Sequence, residues 1–396
     1  MRILITNNTL ADRAGTEMYV RDLAIGLMKR GHEPFAYSTK LGNVAAELRA
    51  HGVTVLDDLE KFPGAPDIIH GHHHLDTMTA LMKFSGVPAV YVCHGSEPWE
   101  ESPPVFPRIR RYIAVDNPCR ERVLNQTIPE DRVRVLLNFV DLNRFKPRSA
   151  LPQSPRLALI FSNKMCEPVQ IDPIRAACNR AGIQLDIAGR NAGNPSERPE
   201  LLLARYDIVF AKAKAALEAM AVGTAVIACD AAGVGPMVTT QNVQALRPLN
   251  FGIKCLQNPI TANVIARELA RYDPEDAARV RNFIREDAGC DPVFDQFIDV
   301  YRDVIDEHRE ASTPDPLADS AALAVYLRQL TERFHSLEAD RSELKTLQRS
   351  RSWRLFSKYT QIRHSLIMPT IGKTVSSAAT QNAPSGEQKL PKASKT

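Results

Sequence analysis

Residues 207–230 decide the fold, and they read DIVFAKAKAALEAMAVGTAVIACD. A short apolar run, a helical pattern, a glycine at position 223 and a second apolar run predict a strand, a helix that begins near Ala215 and another strand. Glu218 lies inside the otherwise apolar helical stretch. Burying a carboxylate is costly unless a partner offsets the lost hydration. The stretch therefore predicts a strand–helix–strand unit whose carboxylate binds something.

The same alternation of apolar runs and helical patterns extends over most of the chain. It is typical of parallel sheets with helices on both faces. The alternation breaks at residues 147–155, a polar stretch with three prolines, and starts again at Leu157. We therefore predict an α/β fold with two doubly wound, Rossmann-like domains, residues 1–150 and 151–310. Ligands are expected at the carboxyl ends of their strands.

Composition narrows the class of protein. The chain has 396 residues, of which 44% are hydrophobic, and a formal net charge of +4, so we expect no nucleic-acid partner. Its seven cysteines are scattered singly, which predicts reduced, packed thiols in the cytoplasm. The apolar run at the amino terminus is too short for a signal peptide, and no later stretch is apolar for long enough to predict a membrane span.

A carboxyl-terminal extension follows a predicted helix at about residues 291–310. Within residues 317–368, leucines at heptad spacing predict a coiled coil and a homodimer through residues 323–347, with a helix docked on its own domain as the alternative; these leucines are Leu323, Leu330, Leu337 and Leu344. Basic and aromatic residues alternate over 349–363, which suits an anionic membrane surface, here the inner membrane face, or a partner helix. Residues 369–396 are predicted to be a disordered tail.

Several candidate site residues lie in the first domain. Gly15 opens a predicted helix whose backbone N–H groups favour an anion, although simple turn chemistry is the alternative. His94 directly follows a predicted strand at the mouth of the cleft, so it is a catalytic candidate, and a buried structural histidine is the alternative. The histidines at 70 and 72–74 are adjacent in an extended loop and cannot converge on one ion. We therefore expect no metal, and expect these histidines to line the cleft.

The motifs, taken in order, resemble those of glycosyltransferase family 4 over residues 1 to about 309. They are Ala14-Gly15-Thr16-Glu17, Arg30-Gly31-His32, Asp67-Ile-Ile-His70, His94, Leu137-Asn138-Phe-Val140-Asp141, and the helix and strand of residues 216–227. The resemblance implies a GT-B fold, with two facing Rossmann-like domains and the donor nucleotide sugar held mainly by the second. It also implies transfer with retention, usually without a metal, so no cofactor is expected.

In this family the second glutamate of a Glu-x7-Glu motif accepts hydrogen bonds from the donor's ribose hydroxyls, and Glu218 occupies its place. The first glutamate, which contacts the donor sugar, is replaced by Phe210. Sugar recognition must therefore be rebuilt or lost, and the sequence leaves open whether activity survives.

The family also places an arginine and a lysine after the first strand of the second domain, where this chain has only Lys164. Lys212 and Lys214 are candidates for the missing charge at the leaving diphosphate, with solvated surface lysines as the alternative. Gly233 and Gly235 suit close backbone approach to phosphate or sugar.

The predicted function is transfer of a sugar from a nucleotide-sugar donor to a glycan or lipid-linked acceptor in cell-surface polysaccharide synthesis. Two alternatives stay open. One is a catalytically degenerate protein that binds a nucleotide sugar or a partner, and the other is a nucleotide-sugar epimerase. Nothing in the sequence identifies the nucleobase, the sugar or the acceptor.

Overall fold

A computed structural model describes residues 1–311, 316–350, 352–353 and 359. The first domain is built on a sheet of seven parallel strands in the order β3-β2-β1-β4-β5-β6-β7. The strands are β1 (Arg2–Thr6), β2 (Glu33–Tyr37), β3 (Thr54–Leu56), β4 (Ile68–His72), β5 (Ala89–Cys93), β6 (Ile109–Ala114) and β7 (Val133–Val135). The helices are α1 (Gly15–Lys29), α2 (Asn43–Ala50), α3 (His74–Lys83) and α4 (Asn117–Leu124). The central strands are buried on both faces, as a parallel sheet requires.

The second domain has a five-stranded sheet in the order β12-β11-β10-β8-β9, in which only β12 is antiparallel to its neighbour. The strands are β8 (Leu157–Phe161), β9 (Gln184–Ala188), β10 (Ile208–Ala211), β11 (Ala225–Asp230) and β12 (Gly233–Met237). The helices are α5 (Ile171–Arg180), α6 (Pro199–Leu203), α7 (Ala213–Val222), α8 (Val243–Leu246), α9 (Ala262–Leu269) and α10 (Pro274–Asp287). The α/β fold predicted from the sequence is confirmed.

The unit at residues 207–230 forms as its pattern predicts, with β10, α7 and β11 in succession. Gly223 ends α7 in the left-handed conformation at φ +102°, which a glycine adopts without steric cost. The strand and helix faces pack into two apolar clusters, one on each side of the second sheet. These clusters fix α7 against the sheet, so that its amino-terminal end lies at the carboxyl ends of the strands.

The last helix of the globular part, α11 (Cys290–Glu310), returns to the first domain. Its Tyr301 hydroxyl lies 2.6 Å from Nδ1 of His70, and Phe297 packs edge-on against Tyr19. The sequence analysis assigned residues up to 310 to the second domain, whereas α11 packs against elements of the first domain. The apolar face of α11 finds its burial against α1, β5 and β6 instead.

The extension contains one long helix, α12 (Pro316–Arg349). Leu327, Leu337 and Leu344 are exposed on it, and its pairing with a second copy stays a prediction. Most of the basic segment at 349–363 and all of the tail at 369–396 lie outside the described residues. Within the described part of the chain, no helix is both long and apolar enough to cross a bilayer.

Candidate functional site

The first domain offers an open helix start beside the end of β1. Helix α1 begins at Gly15, and its N-cap residue, Ala14, has no side-chain hydrogen bond to the helix. A Cβ built on Gly15 would meet no atom within 4 Å. A ligand can therefore approach the start of α1 at Gly15, and the binding of an anion there stays a prediction. Nearby, Arg190 at the end of β9 forms a 3.2 Å ion pair with Asp12.

The histidines at 70 and 72–74, which lie in β4 and at the start of α3, are structural. His70 and His72 are fully buried, and His73 and His74 are 4% and 3% exposed, so the expectation that they line the cleft is wrong. Burial lowers the pKa of His70 to about 3 and those of His73 and His74 to about 4. All are therefore neutral near pH 7. In the described residues, no group of three or more His, Cys, Asp or Glu side chains is arranged to hold a metal.

His94 lies directly after β5 and is half-buried. Its Nε2 is 2.5 Å from Nδ1 of His72, and its ring packs edge-on against Tyr19 at a centroid distance of 4.6 Å. Burial, followed by the charges of His73, His70 and Lys214, lowers the pKa of His94 well below its ordinary value. A neutral His94 can exchange a hydrogen bond through Nδ1 but cannot supply positive charge to a leaving group.

In the second domain, the residue at the place of the first motif glutamate cannot reach a ligand. Phe210 lies in β10, is fully buried and belongs to an apolar core cluster. The connection from β10 to α7 is a single residue, Lys212. Any contact to the donor sugar must therefore come from another part of the cleft.

Lys212 is held by a carboxylate at the end of β11. Its Nζ lies 2.6 Å from Oδ2 of Asp230, and the Ser162 hydroxyl donates to the other oxygen of Asp230 over 2.5 Å. Although burial opposes it, these two hydrogen bonds hold the pKa of Asp230 below its ordinary value. Lys212 is therefore neither a solvated surface lysine nor a free cation. It would have to leave Asp230 to contact a phosphate.

Lys214 lies in the first turn of α7, not on the loop where the sequence placed it. Its Nζ is 3.2 Å from Oδ2 of Asp22 on α1 and 3.2 Å from the backbone oxygen of Phe139. The side chain is buried, so a direct contact between Lys214 and a nucleotide is not what this arrangement provides. Lys214 instead joins the two domains.

Glu218 is 8% exposed and lies one turn after Lys214, whose Nζ is 3.8 Å from Oε1. Among the described residues, none donates a hydrogen bond of ordinary length to this carboxylate. Burial raises the pKa of Glu218 to about 7, against the opposing charge of Lys214. A nearly buried carboxylate with one distant cation has unused acceptor capacity. It can accept hydrogen bonds from a ligand's hydroxyl groups.

Gly233 and Gly235 lie in β12 and serve the packing of the protein itself. A Cβ on Gly235 would come within 2.5 Å of the Cys255 carbonyl oxygen, and one on Gly233 within 2.8 Å of the Asn258 carbonyl oxygen. The prediction that these glycines admit phosphate or sugar is corrected, because their open side faces the protein's own backbone. Lys164, after β8, is exposed and remains available at the edge of the cleft.

Sequence reasoning missed the two carboxylates that hold the lysines, Asp22 and Asp230. Asp230 had a usable signal, because it is the polar residue at the carboxyl end of a buried strand. Asp22 had a weaker one, since it stands next to Arg21 on a helix whose other faces are apolar. Its partner is 192 positions away in the chain, and no local pattern specifies such a pair.

Comparison with known proteins agrees with this architecture. Residues 53–144 match the family model described as Glycosyltransferase Family 4. The sequence matches no curated protein. The structure is similar to HepE from Anabaena in complex with UDP-glucose, with a TM-score of 0.56 and 13% identity over 76% of this chain and 100% of that one.

Two further solved structures have the same arrangement. Sucrose-phosphate synthase from Thermosynechococcus elongatus gives a TM-score of 0.53 and 14% identity over 77% of this chain and 99% of that one. A glycosyltransferase from Rickettsia africae ESF-5 gives a TM-score of 0.52 and 13% identity over 77% of this chain and 98% of that one. At these identities the structural likeness shows the fold. The chain thus has the GT-B fold, and its predicted resemblance to glycosyltransferase family 4 is confirmed, with residues 53–144 matching that family directly.

Proposed function

We propose that the protein is a glycosyltransferase that binds a nucleotide-sugar donor through Glu218 and transfers the sugar to a glycan or lipid-linked acceptor. The observation that carries this proposal is the nearly buried, under-bonded carboxylate of Glu218 at the cleft side of the second domain. A pair of vicinal hydroxyl groups is a ligand that would satisfy it, and a ribose presents such a pair. The position of Glu218 in the family's motif points to the same ligand.

Other groups of the two domains would bind the diphosphate of the donor. The open amino-terminal end of α1 at Gly15 presents N–H groups, and Lys164 presents an exposed cation. Lys212 would add a second cation if the diphosphate displaced Asp230. These groups would stabilise the negative charge that develops on the leaving oxygen.

The transfer itself breaks the bond between the anomeric carbon and the diphosphate oxygen and forms one to the acceptor hydroxyl oxygen. We propose retention, with the diphosphate accepting the proton that the acceptor hydroxyl loses. His94 would hold a substrate hydroxyl through Nδ1, since its Nε2 is engaged by His72. In this scheme the chemistry requires no protein nucleophile.

A binding protein without catalysis is the second candidate, and a specific observation favours it. Lys212 and Lys214 are both engaged by carboxylates, and Phe210 is locked in the core. Nucleotide affinity without turnover would identify this case, and an isomerised nucleotide sugar would identify the epimerase, which the comparisons do not favour. Product analysis with one donor therefore separates the three functions.

The cellular setting is part of the proposal. Synthesis of a surface polysaccharide at the inner membrane face would use the basic segment at residues 349–363 as a membrane contact. Deleting residues after Asp340 should abolish co-sedimentation with anionic vesicles, and unchanged binding would contradict this role.

Leu330→Glu with Leu337→Glu should convert a dimer to a monomer in light scattering, and a monomeric wild type would contradict the homodimer.

Nucleotide binding is the direct test. UDP is the first probe, because HepE was solved with UDP-glucose, and GDP and ADP follow in the same thermal-shift series. A ligand at a hundredfold its dissociation constant stabilises the folded state by about 2.7 kcal/mol. Glu218→Gln should weaken binding by roughly 1.5–3 kcal/mol, the range for hydrogen bonds to charged groups.

The matched control is Glu268→Gln, a buried glutamate of α9 that bonds the Met237 backbone and lies outside the cleft. It should leave nucleotide affinity unchanged. A 2′-deoxyribonucleotide removes one ribose hydroxyl, so its affinity should be lower than that of the ribonucleotide in wild type, and the difference should be smaller in Glu218→Gln, whose neutral amide oxygen is a weaker acceptor. Equal affinities in wild type would contradict ribose binding at Glu218.

A further inference from the structure

A chain of charged side chains crosses from the first domain to the second and ends at Glu218. Arg21 on α1 bonds Glu47 through Nε at 2.9 Å and Asp22 through Nη1 at 2.8 Å. The other oxygen of Asp22 is 3.2 Å from Nζ of Lys214, which is 3.8 Å from Glu218. The network therefore joins α1 to α7, and its last member is the proposed ribose ligand.

Within this network Lys214 is held mainly by the first domain. Its Nζ bonds Asp22 and the Phe139 carbonyl oxygen, and it lies 4.9 Å above the centroid of the Phe139 ring. The Asp22 side chain is only 3% exposed. Three contacts fix the ammonium group and leave Glu218 as the more distant fourth. The lysine is thus anchored away from Glu218, although it belongs to the same helix.

Other charges near Glu218 are already paired with each other. Arg144, before the interdomain linker, bonds Glu200 on α6 through Nε and Nη2 at 3.1 and 2.9 Å. Arg144 and Glu200 act on Glu218 in opposite directions. The charges that can set the state of Glu218 are therefore those of Lys214 and Asp22.

We propose that Lys214 is a positioning residue of the ribose subsite, and that Asp22 of the first domain sets through it the charge and direction of the Glu218 carboxylate. This inference rests on the proposed function, because it assigns a regulator to the same ribose subsite. It makes nucleotide affinity depend on helix α1, which lies in the other domain. Separation of the domains would remove Asp22 and the Phe139 carbonyl oxygen from Lys214 and free this lysine to turn toward Glu218 on the same helix.

The two partners of this device should act with opposite sign. Lys214→Met removes a positive charge beside Glu218, so the pKa of Glu218 should rise from about 7 by about one pH unit or more. Asp22→Asn removes a negative charge and frees Lys214 to turn toward Glu218, so the pKa should fall. A purely structural ion pair would give destabilisation in both variants and no such opposition.

The first measurement needs no ligand. Carbon-13 NMR of the glutamate carboxyl groups in the full chain, assigned by Glu218→Gln, gives the titration midpoint of Glu218 in wild type and in each variant. Arg247→Met is the matched control, because Arg247 is a buried cation that bonds Asp287 at 2.6 Å and the Asn138 carbonyl oxygen at 2.8 Å, away from Glu218. It should leave the Glu218 midpoint unchanged.

The second measurement is the ratio of the dissociation constants of 2′-deoxy-UDP and UDP between pH 6 and 9. In wild type, at pH values above the Glu218 midpoint, the dissociation constant of 2′-deoxy-UDP should be roughly ten times that of UDP. Lys214→Met should shift the rise of this ratio to higher pH, and Asp22→Asn to lower pH. If UDP does not bind, GDP and ADP with their 2′-deoxy forms take its place.

The outcomes separate the two proposals. A midpoint that does not move in Lys214→Met, or that moves in the same direction in both variants, overturns the positioning role. A ratio of one at every pH in wild type for all three bases overturns ribose binding at Glu218, and with it this role, whatever the NMR midpoints do. A pH-dependent ratio that Lys214→Met leaves in place overturns the positioning role alone.

Discussion

The β1–α1 and β10–α7 connections each lead from the carboxyl end of a parallel strand to a helix, one in each domain, yet they differ in how their helices begin. The first connection spans residues 7–14 and ends at Gly15, around which a side chain would meet nothing. The second is Lys212 alone, followed by Ala213 at φ +50°. A long loop leaves the start of α1 open, whereas the short one draws two lysines onto protein carboxylates.

The charged side chains near these two connections also differ between the domains. Five histidines of β4, the start of α3 and the end of β5 have lowered pKa values and are neutral near pH 7; they are His70, His72, His73, His74 and His94. The second domain presents Lys212 with Asp230, and Lys214 with Asp22 and Glu218. Its charges are present but engaged with each other. Catalysis on this scaffold therefore depends on whether a donor can replace these internal partners.

The largest effect is expected on stability when Glu218 is neutralised. Its pKa is about 7 in the folded protein, against 4.5 for the ordinary group, so the folded state holds a proton that the unfolded chain releases. The contribution of Glu218 to stability is therefore present below pH 4.5 and lost as the pH rises to 7. Glu218→Gln has no such loss and should be more stable than wild type at pH 8 by about 3 kcal/mol.

Urea unfolding of the unliganded protein at pH 5 and pH 8 measures this difference, which should fall to about 1 kcal/mol or less at the lower pH. Glu268→Gln is again the control, because its carboxylate accepts a backbone hydrogen bond and its loss should destabilise at both values. A Glu218→Gln protein less stable than wild type at pH 8 would show that the carboxylate is structural. The start of α7 in the second domain would then have only a structural role and no ligand site.

The next effect concerns Lys212 and the release of its charge. If the donor diphosphate displaces Asp230, Lys212→Met should lower kcat about 100-fold, near 2.7 kcal/mol of transition-state stabilisation. Donor affinity should change much less, because the charge matters most as the leaving group develops. Steady-state kinetics on the UDP-sugar identified by product analysis separates kcat from KM.

Asp230→Asn is the complementary variant, since it keeps the shape and releases the lysine. Its kcat should equal or exceed that of wild type. If Lys212→Met lowers the melting temperature and leaves kcat unchanged, Lys212 serves only to neutralise Asp230. The two domains would then both lack a cation for the leaving group at these connections.

A third effect distinguishes the glycines of the two domains. Gly235→Ala should reduce the free energy of unfolding by about 2 kcal/mol, because its Cβ would be forced against the Cys255 carbonyl. Gly15→Ala should cause no loss of stability, since that position is open, but should weaken UDP binding if the diphosphate approaches the helix. Paired urea curves and calorimetry test both. Destabilisation by Gly15→Ala would show that the loop, not a ligand, needs the glycine.

Local periodicity in the sequence was sufficient to predict the second-domain unit. The pattern of residues 207–230 specified β10, α7 and β11, because apolar spacing and the stop at Gly223 depend only on near neighbours. The same reasoning placed Glu218 on a buried helix. The family resemblance added the GT-B arrangement, which spacing alone did not provide.

What could not be predicted depends on contacts between distant parts of the chain. Lys214 was assigned to a loop and a phosphate, but tertiary packing extends α7 to Ala213 and brings Asp22 to its ammonium group. Likewise Gly235 looks like a ligand-binding glycine until the backbone at 255 is seen beside it. Such pairs have no local signature, so sequence reasoning identified the charges and misjudged their partners.

The smallest effect tests the strain at the short connection. Ala213 has φ +50°, a left-handed conformation that costs an L-residue roughly 1–2 kcal/mol, and its N–H donates to the Phe251 carbonyl oxygen at 3.1 Å. Glycine adopts this conformation freely, although it loses more backbone entropy on folding. Ala213→Gly should therefore raise the free energy of unfolding by roughly 0.5–1 kcal/mol. Ala215→Gly, two residues further into α7, should lower it by about 1 kcal/mol.

Urea unfolding of the two variants gives the sign of each change in the free energy of unfolding. An equal decrease in both variants would show that the connection carries no strain. The turnover of the same two variants also tests whether the short β10–α7 connection has a role in catalysis that differs from that of the open start of α1. If the strained residue holds Lys212 in place for the leaving group, Ala213→Gly should gain stability and lose turnover together. If turnover is unchanged, the strain is only the consequence of joining β10 to α7 through one residue, and Lys212 takes its position from Asp230 alone.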